Sequence, residues 1–151
     1  MSNVRYVTMS DETFLTDVVG MMEALYLEDE PAPHVDPAKF PDTIRHLLAH
    51  PEAGRLTLFL EEQALSGYAI LIPHWSNEYG GIVVLLDELY VRPSARQKGL
   101  AGGFLEKLKC ERPWAATAVF LEVSRHNQRA QRLYESAGFR EGRNRLMVLP
   151  F

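Results

Sequence analysis

The stretch Leu85-Leu86-Asp87-Glu88-Leu89-Tyr90-Val91-Arg92-Pro93-Ser94-Ala95-Arg96-Gln97-Lys98-Gly99-Leu100-Ala101-Gly102-Gly103 decides the reading of the fold. It continues an apolar run that begins at Ile82, and such runs suit a strand buried on both faces. Pro93 has no N–H to give to a ladder and ends the strand. A basic, glycine-containing loop follows, and Phe104, Leu105 and Leu108 then recur at helical spacing. The order is strand, loop, helix.

That order has a chemical consequence. The first turn of a helix carries N–H groups without internal partners, and the helix dipole adds about half a positive charge there. Gly99, Ala101, Gly102 and Gly103 leave room for a phosphate to approach the backbone, and Arg92, Arg96 and Lys98 put full charges at the rim. A glycine-rich helix start that only packs closely is the competing reading. Two better-known phosphate loops are excluded. A P-loop needs Gly-Lys-Ser/Thr, whereas the order here is Lys98-Gly99-Leu100. The dinucleotide fingerprint needs its first glycine directly after the strand, whereas several polar residues precede Gly99.

Val91, Arg96, Gly99 and Ala101 stand at the spacing V-x-x-x-x-R-x-x-G-x-A, which resembles the acetyl-CoA-binding motif of the GNAT superfamily of N-acetyltransferases. A second block, with Leu121-Glu122-Val123, Asn127, Ala130, Leu133-Tyr134-Glu135 and Gly138-Phe139, is similar to that superfamily's later motif. The pair covers about the C-terminal half of the chain. The resemblance implies that acetyl-CoA is the co-substrate and a primary amine of a small molecule, polyamine or protein N-terminus the acceptor. It implies cofactor contacts at Leu89, Tyr90 and Val91 for the pantetheine arm and at Arg96, Gln97, Lys98, Gly99, Leu100, Ala101, Gly102 and Gly103 for the pyrophosphate. Asn127 and Tyr134 join that set. The N–H of Val91 is the implied donor to the thioester oxygen.

By the same resemblance Tyr134 is the general acid beside the cofactor sulfur. Its ordinary pKa near 10 keeps it protonated at neutral pH. Three carboxylates compete as general base. The spacing of Glu122 to Tyr134 matches relatives that acetylate protein N-termini, and Asp87 and Glu88 form an acidic pair like that of polyamine-acetylating relatives. The base position of histone-acetylating relatives falls on Leu85, which cannot serve. Strict strand alternation sends Asp87 and Glu88 to opposite faces, with Asp87 and Glu122 toward the gap between the fourth and fifth strands. The alternative to an enzyme is a non-catalytic acyl-CoA-binding sensor or regulatory module, which would need the cradle but neither Tyr134 nor a base.

Composition bounds the rest. The 151 residues suit a single domain over 1–151, with 46% apolar and 24% charged residues as in an ordinary globule. A net charge of −4 gives no support to nucleic-acid binding. No apolar run reaches the length of a membrane span, and the first residues lack a signal peptide's apolar core. With one cysteine, Cys110, no intrachain disulfide can form. A cytoplasmic protein is expected, with Cys110 as a packing residue. His46 and His50 lie one helical turn apart with no third ligand in view, so no metal site is expected. Dimers are common in the superfamily, which leaves a homodimer open.

In order, the pattern predicts a strand at residues 4–8 and a helix capped by Ser10 or Asp11 and running to Tyr26. An acidic, proline-containing loop follows at residues 28–33, beside the acceptor site by analogy. A second helix leads from Pro37 to Leu48, and strands follow at residues 55–61 and 66–74. The loop at residues 75–81 offers Trp75 and Tyr79 either as stacking platforms for an amine or as sheet-edge packing. After the cradle helix come a strand at 118–123, a helix from Gln128 to Ser136 capped by Asn127, and two closing strands at 139–140 and 146–149. The expected fold is α/β: a mixed, twisted, mostly antiparallel sheet of six to seven strands flanked by about four helices.

Overall fold

The computed structural model describes residues 3–28 and 35–151. Most of the acidic loop, residues 29–34, lies outside them. Five strands form one sheet in sequential order. β1 (Val4–Thr8), β2 (Arg55–Glu61), β3 (Ala64–Ser76) and β4 (Gly81–Val91) pair antiparallel, and β5 (Ala118–Leu121) joins β4 in parallel. The last pairing is parallel because a helix, α3 (Leu100–Glu111), carries the chain back between the two strands.

Three further helices flank the sheet: α1 (Leu15–Glu28), α2 (Lys39–Ala49) and α4 (Gln128–Ser136). Asp11 opens the turn before α1 by accepting from the Thr13 N–H at 2.9 Å. Asn127 caps α4 by accepting from the Ala130 N–H at 3.0 Å. Gly138 closes α4 at φ +98°, with the Phe139 N–H on the Tyr134 carbonyl and the Gly138 N–H on Glu135. This is the left-handed ending that glycine permits.

Each face of the sheet carries its own core. On one, Val18, Met21 and Met22 of α1 and Phe40, Ile44 and Leu47 of α2 pack on Leu58, Tyr68, Ile70 and Tyr90. On the other, Leu100, Phe104, Leu105 and Leu108 of α3 pack on Phe59, Leu71, Val84 and Leu86. Both faces of β4 are therefore covered, as its apolar sequence requires.

Three expectations need correction. Among the described residues the sheet has five strands, not six to seven, because residues 139–151 form no strand. Leu146, Met147, Val148, Leu149 and Phe151 stand exposed, with no strand paired to their backbone among the described residues. The fifth strand stops at Leu121, where its ladder with β4 ends, rather than at residue 123. Cys110 is exposed on α3 rather than packed.

Candidate active site

β4 changes phase in its middle. Leu71 faces Leu86 and Ile70 faces Glu88, so Asp87 is an extra residue without a partner on β3. This is a β-bulge, which bends its strand and re-aims side chains. Before it, Val84 and Leu86 face the α3 core; after it, Leu89 and Val91 do. Tyr90 and Glu88 therefore turn toward α1. The expectation of strict alternation fails here.

Glu88 lands in a polar niche inside that core. Its carboxylate accepts from the Tyr26 hydroxyl of α1 at 2.9 Å and from the Tyr68 hydroxyl of β3 at 2.7 Å. Burial pushes the Glu88 pKa up, the two tyrosine hydrogen bonds pull it down, and the charge of Asp87 raises it again; the net shift is upward. Asp87 is more open, yet partial loss of water raises its pKa as well. Its charge raises the pKa values of both Tyr26 and Glu88. Sequence reasoning missed Tyr26 and Tyr68, because each occupies an apolar position of its element. The available signal was Glu88 itself: a carboxylate inside a buried run needs donors.

At the same point β4 and β5 part. Their ladder ends at Leu86 and Leu121, so Asp87 and Glu122 are the next residue on each strand. Glu122 is exposed there. From residue 87 to Val91, β4 has no strand beside it on the β5 side among the described residues. Tyr134 of α4 packs in the α3-side core, its ring 5.7 Å from that of Phe139, and burial pushes its hydroxyl up to about 12.

The loop after β4 ends at the N-terminus of α3. Gln97 (φ +63°) and Gly99 (φ +82°) both take left-handed backbone, which turns successive N–H groups toward one side. α3 has no side-chain cap, and the N–H groups of Leu100, Ala101 and Gly102 have no backbone partner among the described residues. A Cβ built on Gly99 or Gly102 would meet nothing within 4 Å. Gly103 differs. Its N–H is held by the Gly99 carbonyl at 2.8 Å. A Cβ there would come within 2.5 Å of the Tyr6 hydroxyl, which donates to the Leu100 carbonyl. Gly103 makes room for Tyr6 and has no free donor for a ligand.

The three basic side chains of the loop are engaged with acids. Arg96 donates through Nε to the Val91 carbonyl at 2.8 Å and through one amino group to Glu28 at 2.6 and 2.8 Å, with its guanidinium 5.5 Å from the Tyr90 ring. Arg92 lies 3.4 Å from Asp17, and Lys98 3.4 Å from Glu61. Arg96 thus fastens the loop to the end of β4 and to α1. Trp75 and Tyr79 sit at the β3–β4 turn, the opposite end of β4 from the cradle, and neither borders Glu88. Among the described residues no cluster of three metal-binding side chains occurs and no helix is long and apolar enough to cross a membrane.

The chain is similar to several known proteins. The N-acetyltransferase Rv2669 of Mycobacterium tuberculosis, itself uncharacterized, is 37% identical over 75 residues, which is 49% of this chain and 45% of that protein. The chain thus spans about half the length of the curated relatives it matches. An integron cassette protein from the Cole Harbour Salt Marsh metagenome is 28% identical with a TM-score of 0.78, over 96% of this chain and 89% of that one. The aminoglycoside N-acetyltransferase AAC(6')-Iy, solved with CoA, shares the fold at a TM-score of 0.79 and 18% identity, over 99% and 96%. The profile of the acetyltransferase (GNAT) family matches residues 19–139, and the chain belongs to that family.

Proposed function

We propose that the protein is an acetyl-CoA-dependent N-acetyltransferase that passes an acetyl group directly to a primary amine. The observation that carries this reading is the parting of β4 from β5 at Leu86 and Leu121, with an uncapped helix N-terminus at one end of the gap and two carboxylates beside it. The residues fit acetyl-CoA. Free N–H groups at Leu100, Ala101 and Gly102 would take pyrophosphate oxygens. The unpaired side of Leu89, Tyr90 and Val91 would take the pantetheine amides as an added strand. Bound there, acetyl-CoA supplies an activated acyl carbon on a thioester.

This chain's residues handle the protons. An alkylamine is mostly protonated near neutral pH, and a carboxylate can attract it and then remove its proton. Asp87 and Glu88 serve as that base, directly or through one water, while exposed Glu122 across the gap attracts the cation. As nitrogen bonds to the acyl carbon, the Val91 N–H faces the charge growing on the carbonyl oxygen. When the carbon–sulfur bond breaks, the Tyr134 hydroxyl gives its proton to the sulfur. The base later returns the amine's proton to solvent, and tyrosinate regains one.

A thiol-release assay across small amines, polyamines and peptides with free N-termini tests the reading. Turnover of at least one amine with one thiol released per acetyl transferred is the expected result. Acetyl-CoA binding with no turnover of any amine would make the protein a cofactor sensor instead.

A further inference from the structure

Between α3 and the β1–β2 side of the sheet lies a cavity of about 170 Å³, partly open to water. Its lining comes from β1, β2, β3, the middle and end of α3, and Pro113. No residue of β4, β5, α4 or the loop at 97–103 takes part. Lys107 and Glu111 stand five and nine residues beyond Gly102. That is roughly 8 and 14 Å along the helix from the free N–H groups of the cradle. The cavity is separate from the gap between β4 and β5.

Packing alone does not explain its walls. Thr57 is 5% exposed, and its hydroxyl has no hydrogen-bond partner among the described residues. The hydroxyl is not sealed in the core either, so it opens into the cavity. A buried polar group ordinarily has a partner. Thr8 stands directly opposite on β1 and puts a second hydroxyl in the same wall. Arg55, two residues before Thr57, shares its strand face and has no ion-pair partner among the described residues. Its guanidinium lies instead 4.8 Å from the centre of the Trp114 ring. Lys107 adds a second cation, whose ammonium is paired with Glu111. Two cations against one carboxylate leave the lining positive. Leu71, Phe104 and Leu108, all buried, form its apolar floor.

The walls are held in place from two sides. The Tyr6 ring packs edge-on to Phe59 at 5.0 Å, and its hydroxyl donates to the Leu100 carbonyl at 2.7 Å. On the other side Arg112, Trp114 and Ala115 take left-handed backbone, at φ +46°, +56° and +54°. That conformation is costly for any residue but glycine. The strained turn carries Trp114 onto Arg55 and brings Pro113 to the rim. Strain of this kind collects at ligand clamps.

We infer that this cavity is a binding site for a small aliphatic monocarboxylate. The Arg55 guanidinium and the Thr57 hydroxyl donate to its carboxylate, and Leu71, Phe104 and Leu108 cover its hydrocarbon tail. An amine of the same shape would meet two cations, and the one carboxylate present already holds Lys107. A cavity of about 150 Å³ takes up benzene, so this one suits roughly six to eight non-hydrogen atoms. The inference does not depend on the acetyl-transfer reading.

Isovalerate is a probe of that size. Titrated into the full chain, it should give saturable NMR shifts centred on Thr57 and Leu108 at concentrations below about 10 mM. Isoamylamine keeps the tail and inverts the charge, and phosphate keeps the charge without the tail; neither should shift these residues. Thr57→Val keeps the side chain's shape, and because the hydroxyl has no partner the melting temperature should hold or rise. Isovalerate affinity should fall in that variant, and by at least about tenfold in Arg55→Gln, which loses a charged donor. No saturation by isovalerate in that range would overturn the inference. Equal shifts at Thr57 with phosphate, shifts confined to Leu100–Gly102, or unchanged affinity in both variants would do the same.

Discussion

The carboxylate at position 88 is held by two phenol hydroxyls, and the pH dependence of the reaction should report it. Glu88 and Asp87 both have raised pKa values, so the acidic limb of kcat/KM should lie above the ordinary carboxylate range. Tyr26 and Tyr68 pull the Glu88 value down by hydrogen bonding. Tyr26→Phe and Tyr68→Phe should therefore each move that limb to higher pH; an unmoved limb in both would assign the base to Asp87 alone. Asp87→Asn and Glu88→Gln should each lower kcat/KM, with Glu122→Gln acting more on KM for a cationic amine. Tyr134→Phe should leave acetyl-CoA affinity unchanged and slow single-turnover chemistry by about 10²–10⁴-fold, the usual span for a general acid. In the sequence, motif spacing marks Tyr134 and Glu122 as candidates, and Asp87 and Glu88 stand out as an acidic pair inside an apolar strand; the variants above test their roles. Tyr26 and Tyr68 do not stand out there, since an apolar stripe and a buried strand accept tyrosine for packing alone, and only the third dimension brings their hydroxyls to Glu88.

Among the elements, α3 was the easiest to anticipate and the most informative to refine. The spacing of Gly99, Ala101 and Gly102 signals an open helix start, and the backbone there has free donors. The different duty of Gly103 was invisible, because the Tyr6 hydroxyl that fills its space comes from β1, nearly a hundred residues away in sequence. Gly102 allows a clean test. It is helical and faces open space, so Gly102→Ala should hold or raise the melting temperature, alanine being better than glycine in a helix by about 1 kcal/mol. Gly102→Glu adds a carboxylate to the first turn, which the helix dipole tolerates. Calorimetry should show acetyl-CoA affinity falling at least about tenfold in Gly102→Glu with no loss of melting temperature, as expected for roughly 1.4 kcal/mol or more of lost binding. Unchanged affinity would remove the pyrophosphate from this helix.

At the scale of the molecule, the buried carboxylate makes stability depend on pH in a definite sense. The native Glu88 pKa is raised, so the folded state holds this proton more tightly than the unfolded chain does. That contribution favours the fold below the ordinary glutamate pKa and is lost as pH rises through the native value. Glu88→Gln should flatten the fall in urea midpoint across that window, and an unchanged slope would place the proton elsewhere. The order of the five strands and four helices was legible because apolar periodicity and turn residues mark each of them. The two closing strands were predicted from the same apolar signal, but residues 146–149 have no partner strand among the described residues, and periodicity alone does not supply one. The bulge at Asp87 has one more consequence, which concerns counting rather than chemistry. It acts as a parity switch between two cores: upstream the even-numbered side chains face α3, and downstream the odd-numbered ones do. Pairing Asp87 into an unbroken ladder would invert the second half of β4, driving Glu88 and Tyr90 into the α3 core and Leu89 and Val91 out of it, whereas deleting Asp87 would straighten the strand and leave those four side chains on their present faces. One residue without a partner, rather than any letter around it, sets which core each half of the strand faces.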